Sequence, residues 1–409
     1  MIGSTWKLLR ELPRPVRILI AGTFVNKAGT YIVPYLTIVL TRDFHLGPAE
    51  AGLAVAAYGL GSLSSIFVGG QIADRLGRRA AMILSLFGSG ILALCLGFAP
   101  SLQAFVLLLL GFGFLADLFQ PAASAIITDL VPPEQRKVGF AGLRLAINLG
   151  FAAGIVVGGF LVDRDWRLLF WGDGISTLAY GVVILLFIAE TRPVPREGEE
   201  ERSPFRDRAF VKLVAASGAF PFLMFAVMTV LPMTLTQHAG YPSRAYGYIV
   251  GLNGLLVALF EMPVAARLPG HFRLRIAAGG LLVAACGVAM NGLPPSLAIY
   301  VTAILLVTAG EIVMMPQLSA TVADWAPRRS RGRYISLFQS SWTFAKATSP
   351  LLFLPTRARI GDAWFWPLLA LATLPAAALL LYLEAEDRNR RHRGVDDGPE
   401  ASVEYRVEA

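Results

Sequence analysis

Lys27, Asp117, Arg144, Glu261, Glu311 and Lys346 stand inside long apolar runs, where ionisable side chains are rare. At the centre of a bilayer such a group costs about 2.5–3.5 kcal/mol on insertion scales, so each needs a partner or a task. Asp117 and Glu311 lie near the middle of corresponding runs in the two halves of the chain, one position out of register. A carboxyl group in a poorly hydrated cavity can take a proton from one side and release it to the other as access alternates. These two are the first candidates for proton coupling. The alternative is a fixed buried ion pair, of Asp117 with Arg144 or with Lys27. Glu261, just before Pro263, is the third candidate, placed to form a gate or loop salt bridge. Arg144 is expected to be a counter-charge within the first half, and Asn148 to hydrogen-bond it or line a cavity. Lys346 is expected to pair with Glu311 or to face an anionic substrate group. Lys27 and Tyr31 join them in a central cavity, with Tyr31, Tyr35, Phe222, Phe225, Trp342 and Phe344 as candidates for an apolar wall.

These residues need a scaffold that lipid solvates. Hydrophobic residues make up 55% of the 409 and charged residues 16%, with a mean hydropathy of +0.60. Soluble domains carry about 25% charged residues. The stretch Ala80–Ala116 has no Asp, Glu, Lys or Arg, and Ile276–Gly310 repeats the pattern. Each is too long for one span of about 20 residues and suits two. The same reading gives twelve helices, near 16–40, 49–73, 79–99, 101–128, 137–162, 167–189, 210–236, 243–267, 273–293, 296–324, 330–355 and 363–385. The expected fold is an all-α polytopic membrane protein of two pseudo-symmetric six-helix bundles. Residues 1–190 form the N-terminal bundle, 191–209 a charged cytoplasmic linker, 210–385 the C-terminal bundle and 386–409 a polar cytoplasmic tail. Lys and Arg concentrate in the termini and the even-numbered loops, which places both termini in the cytoplasm of a multi-pass inner or plasma membrane protein. The same asymmetry accounts for the net charge of +8 without nucleic acid.

The two halves align at a constant offset of 195 residues. Gly52 falls on Gly247, Gly59 on Gly254, Pro121 on Pro316, Asp129 on Asp324, Pro132 on Pro327 and Arg136 on Arg331. Asp, Pro and Arg in register without a gap are a poor match to chance. Parallel repeats of this kind place a substrate site at their interface near the bilayer midplane.

The loop after the second helix reads Gly70-Gln-Ile-Ala-Asp74-Arg75-Leu-Gly77-Arg78-Arg79. It resembles the signature G-x3-D-R-x-G-R-R of the major facilitator superfamily. Gly77 permits a turn with positive φ, and Asp74 suits a helix N-terminus. The resemblance implies a conformational latch of Gly70, Asp74, Arg75, Gly77, Arg78 and Asp129. In it the aspartate meets the start of helix 11, near Ser330–Gly332, and the arginines pair with Asp129. The equivalent loop in the second half, Ala266-Arg267-Leu-Pro-Gly270, lacks the acid, so the latch is expected to be one-sided. The helix 4–5 segment, Asp117 to Gly159, is similar to the superfamily's drug:proton antiporter branch. Gly150, Gly154, Gly158 and Gly159 match its antiporter signature, while Ile155 stands where that signature has proline and Ala141 where it has the first glycine.

Cys95 and Cys286 lie in apolar runs and imply neither disulfide nor metal site. No phosphate-binding G-x4-G-K-[ST] loop occurs, so transport is expected to be secondary. No enzymatic constellation, metal or cofactor is expected. The resemblance implies proton-coupled efflux of small amphipathic compounds by alternating access, with protons, a small-molecule substrate and the lipid bilayer as partners. The alternative is a proton-coupled importer or facilitator of a specific small nutrient. One chain holds both halves, so a monomer is expected to suffice.

Overall fold

The computed structural model describes residues 10–132, 135–190, 203–270, 272–327 and 330–396, with side chains at 67, 69–71, 73–74, 137, 331 and 390–396 outside that description. Its helices form twelve rods. Helix α1 runs Arg14–Ala28 and Ile32–Ile38 and ends in a π turn, Val39–Asp43. Then come α2 (Pro48–Leu76), α3 (Arg78–Leu96), α4 (Leu102–Ala116 and Phe119–Leu130), α5 (Arg136–Arg164) and α6 (Arg167–Phe187). The second set is α7 (Arg208–Ser217 and Ala219–Thr229, ending in the π turn Thr234–His238), α8 (Ser243–Ala265), α9 (Arg273–Met290), α10 (Leu297–Trp325), α11 (Arg331–Ile360) and α12 (Asp362–Leu371 and Leu374–Asp396). Among the described residues, nine helices are long and apolar enough to cross a membrane by length and composition.

Prolines set the interruptions. A proline removes the N–H that would bond the carbonyl four residues back, and its ring crowds that carbonyl. Pro34 faces Thr30, Pro221 faces Ser217 and Pro375 faces Leu371, and the helix breaks at or beside each. Pro121 stands in the same relation to Asp117, where α4 is interrupted. At this break the Ser85 hydroxyl of α3 donates to the Leu115 carbonyl at 2.6 Å.

The internal repeat reaches well past the matched residues. The two π turns occupy equivalent positions. Ser101 and Ser296, also equivalent, each cap the next helix through a side-chain oxygen. His45 and Gly240 are equivalent again, and both have positive φ, +54° and +72°. Packing obeys the same symmetry. In the first half α1 lies on α5, α2 on α4 and α3 on α6. In the second, α7 lies on α11, α8 on α10 and α9 on α12.

The halves meet along α2–α11 and α8–α5, and the repeat glycines are what let them. A Cβ on Gly59 would strike the Ala347 backbone, and one on Gly52 the Pro350 carbonyl. On the other side a Cβ on Gly247 would stand 2.7 Å from the Ile155 carbonyl, and one on Gly254 3.1 Å from Ala152 and the Asn148 carbonyl. Small residues allow backbones to approach where lipid supplies no hydrophobic drive. The α5 glycines serve a different seam: Gly150, Gly154 and Gly158 pack on α1, at Phe24, Lys27, Ala28 and Tyr31. Helix α5 is continuous through Ile155.

Candidate functional site

The break in α4 sets Asp117 at the C-terminus of the segment Leu102–Ala116, facing the other half. Lys346 of α11 donates to its Oδ2 at 2.8 Å and lies 3.4 Å from the Ser62 hydroxyl of α2. The same ammonium stands 5.2 Å from the centroid of the Tyr58 ring, a cation–π distance. Lys346 thus belongs to Asp117. The expected pairing with Glu311 does not form, and neither does Asp117 with Arg144. Lys346 is a residue of the second half closing on three residues of the first.

A second ion pair crosses between the halves on the α5–α8 side. Arg144 Nη2 lies 2.6 Å from Glu261 Oε1. Arg144 is therefore not a counter-charge for the first half, as the sequence suggested, but reaches across to α8. Glu261 is well buried and Arg144 half-exposed. Asn148, one turn further along α5, is half-buried and makes no side-chain hydrogen bond among the described residues; its carbonyl packs against Gly254.

Glu311 stays within its own bundle. Asn253 of α8 donates to its Oε2 at 2.9 Å and to the Thr308 hydroxyl at 3.0 Å. Asn253 is the repeat equivalent of Tyr58, so each half sets a polar residue of its second helix beside the acid of its fourth.

Lys27 and Asp117 line a cavity of about 60 Å³ inside the first bundle, together with Asn26, Ser85, Ser89 and Thr177. Asp173 of α6, which the sequence reading passes over, also lines it. The signal was there: Asp173 is the sole Asp, Glu, Lys or Arg between Leu168 and Ala189. Its side chain is buried, and Oδ1 accepts from the Thr177 hydroxyl at 3.1 Å. Tyr31 is also buried, packed against Gly158 and Gly172 rather than standing in an open wall. The aromatic residues of the second half do gather. Phe222 stacks edge-on to Phe344 and Phe353, and Trp342 meets Phe220 and Phe225, joining α7 to α11.

At the far end of the bundle Gly77 has φ of +102° between α2 and α3. Arg78 Nε lies 3.7 Å from Asp129. Arg273, the repeat equivalent of Arg78, pairs with Asp324, the equivalent of Asp129. This ion pair is two-sided, although the second loop lacks the aspartate. Two further carboxylates complete the symmetry. Glu190 accepts from the Arg79 and Ala80 amides at the start of α3, and Glu384 from the Leu274 and Arg275 amides at the start of α9. Carboxylates at helix N-termini satisfy orphan amides and complement the dipole. Arg75 is exposed, and the burial of Gly70 and the side chain of Asp74 lie outside the described residues.

This geometry, two bundles of six related by a repeat, agrees with the sequence comparisons. A family model described as Major Facilitator Superfamily matches residues 19–350. The chain belongs to the major facilitator superfamily. It is 29% identical over 284 residues to the Multidrug resistance protein MdtH of Escherichia coli (strain K12 / DH10B), covering 65% of this chain and 67% of that protein. Among solved structures it resembles a POT family transporter in complex with 5-aminolevulinic acid, with a TM-score of 0.78 at 16% identity over 92% of this chain and 97% of that one. It also resembles the human organic anion transporter MFSD10 (TETRAN), with a TM-score of 0.70 at 20% identity over 90% and 100%. At these identities the structural likenesses establish the fold. The protein is a multi-pass membrane transporter of a small-molecule substrate, not an enzyme.

Proposed function

We propose that this transporter exports small amphipathic compounds in exchange for protons, its two bundles rocking about the α2–α11 and α5–α8 seams. The observation that carries the reading is the Asp117–Lys346 pair. It joins the halves at a helix break in mid-span, where discontinuous helices of transporters place their substrate and ion sites. A charge pair there is strong when desolvated and weak when wet, so it responds to access. The aromatic cluster of α7 and α11 supplies an apolar surface for a lipophilic ligand, and the likeness to a multidrug resistance protein supports the substrate class. On this reading residues 1–190 and 210–385 are the moving bodies, joined by the 191–209 linker, with both termini in the cytoplasm. Asp117, Glu311 and Glu261 are the proton-coupling carboxylates, and the Arg78–Asp129 and Arg273–Asp324 pairs brace the cytoplasmic ends.

Proton flux in proteoliposomes under an imposed pH gradient tests it, with a panel of lipophilic cations and small polar nutrients. Lipophilic compounds should dissipate the gradient, and Asp117→Asn or Glu311→Gln should stop them from doing so. A single saturable polar substrate entering with the proton gradient would replace export by nutrient import. Equilibration of a compound without proton movement would remove coupling altogether.

A further inference from the structure

The cavity inside the first bundle holds more charge than the transport site needs. Lys27 comes from α1, Asp117 from α4 and Asp173 from α6. Asp173 is 2% exposed, and its Oδ2 is buried without a hydrogen-bond partner. A buried carboxylate oxygen without a donor is costly. Lys27 makes no hydrogen bond or ion pair among the described residues, so it is positioned near both acids and committed to neither. At about 60 Å³ the space admits a few waters. The lining is polar enough to hold them: Thr177, Asn26, Ser85 and Ser89 all face it.

Charge balance gives this cavity a direction. With the halves in contact, Lys27 and Lys346 offset Asp117 and Asp173, and the group is neutral. If Lys346 leaves with the second half, one cation remains for two carboxylates. An unbalanced carboxylate in a poorly hydrated site is relieved by a proton. No other titratable group facing the cavity can compensate. Tyr31 of α1 packs over Gly172 beside Asp173, Tyr58 of α2 lies under Lys346, and α3 contributes Ser85, Leu86 and Ser89, none of them ionisable.

We infer that the α1–α4–α6 cavity is a proton site whose occupancy is set by the ion pair between the halves. When Lys346 withdraws from Asp117, Lys27 serves one acid, and Asp117 and Asp173 together take up one proton from water. When Lys346 returns, that proton is released to water. The two carboxyls share that one proton. Asp173 is the member that never leaves the first bundle's interior. This deepens the proposed antiport by adding Asp173 to the coupling residues, and it rests on that reading only in assuming that the Asp117–Lys346 pair opens.

Infrared spectroscopy of the full-length chain in phosphatidylethanolamine–phosphatidylglycerol vesicles tests it without any substrate. Lys346→Gln, which mimics withdrawal, should show the C=O stretch of one carboxylic acid per protein at neutral pH that wild type lacks. Adding Asp173→Asn should abolish the band; adding Glu311→Gln should leave it. Lys27→Met should produce the same band with Lys346 in place, again lost with Asp173→Asn. Thermal unfolding of each variant checks that it is folded, and the two independent routes to the band guard against one variant failing. Absence of the band in both single variants overturns the inference, as does a band that survives Asp173→Asn. Sodium-dependent suppression of the band in Lys346→Gln would mean that a metal cation takes the place, and overturns it as well. Failure of wild type to move protons with any compound would sink the antiport reading while leaving the spectroscopic result intact.

Discussion

Helix α4 breaks at Asp117, whereas α10, its repeat counterpart, runs unbroken past Glu311, although each carries the equivalent proline, Pro121 or Pro316. Two neighbours separate them. Asp117 is four residues before its proline, so its own carbonyl loses a donor; Glu311 is five before. Helix α3 also presents Ser85, whose hydroxyl donates to the Leu115 carbonyl at the break, while the equivalent residue on α9 is Gly280, packed on Gly310. One half thus offers a donor that stabilises an opened helix, and the other a bare backbone that clamps a closed one. The consequence is functional. Asp117 swings out to a lysine of the opposite bundle, and Glu311 remains held by Asn253 within its own. A repeat that duplicates caps, π turns and glycine contacts has diverged at the carboxylates buried in its fourth and tenth helices.

The largest effect should follow from separating charge at the bridging pair. Lys346→Met leaves Asp117 without its partner, and Asp117→Asn leaves the lysine alone. Each single change should abolish gradient-driven transport, with a loss of stability on the order of 2 kcal/mol, discounted from the buried-pair range because Asp117 is 31% exposed. The double variant should be more stable than either single, because no uncompensated charge remains; chemical denaturation of the three variants would read this out. A double variant less stable than both singles would contradict the pairing. Glu311→Gln keeps its hydrogen bond from Asn253 and should be nearly neutral in stability, which sharpens the contrast between the halves.

The next test concerns the seams. Gly59 and Gly254 are equivalent, but a Cβ on Gly59 would stand 2.4 Å from the Ala347 backbone, whereas one on Gly254 would stand 3.1 Å from the Ala152 methyl group and the Asn148 carbonyl. Gly59→Ala should slow transport and destabilise by about 1–3 kcal/mol, the range for overpacking. Gly254→Ala should cost less than half of that. Equal costs would mean that the two seams are interchangeable. Smaller again, Ser85→Ala leaves the Leu115 carbonyl only its backbone donor from Leu118 at 3.3 Å and should cost about 1 kcal/mol, with faster amide exchange around Asp117. Gly280→Ser should not reproduce the α4 break.

Much of this architecture was legible because lipid leaves the chain few choices. Uncharged runs the length of two spans, the 195-residue offset and the loop signature each report a constraint that acts locally, and the twelve rods follow the predicted segments closely. Pairing between the charges was not legible. Arg144 and Glu261 are far apart in sequence and on non-equivalent helices, and no periodicity tells a lysine on α11 that its partner lies on α4 rather than α10. The repeat itself misled at one point. It favoured symmetric roles for Asp117 and Glu311, while the asymmetry came from Ser85 and Gly280, small residues with no individual signal. Asp173 escaped for another reason: in the middle of a run read as a simple span, its meaning depends on Lys27 and Asp117 arriving from α1 and α4.

The bracing ion pairs provide the mildest comparison, since here the halves remain alike. Arg78–Asp129 and Arg273–Asp324 occupy equivalent positions, and all four side chains are partly exposed. Exposed pairs contribute about 0.2–1 kcal/mol and weaken with salt. Arg78→Gln and Arg273→Gln should therefore each lower stability by a few tenths of a kcal/mol, and by similar amounts, in vesicles at low ionic strength, with the difference from wild type shrinking at high salt. Their effects on transport should differ. Arg78 opens α3 directly after Gly77, whose positive φ makes the turn from α2, a turn that α8–α9 replaces by Arg267-Leu-Pro-Gly270. If transport falls more for Arg78→Gln than for Arg273→Gln at equal stability, the loop acts in the conformational cycle and the ion pair is only its anchor. If both fall together, the two pairs work as one symmetric brace and the loop sequence adds nothing beyond topology.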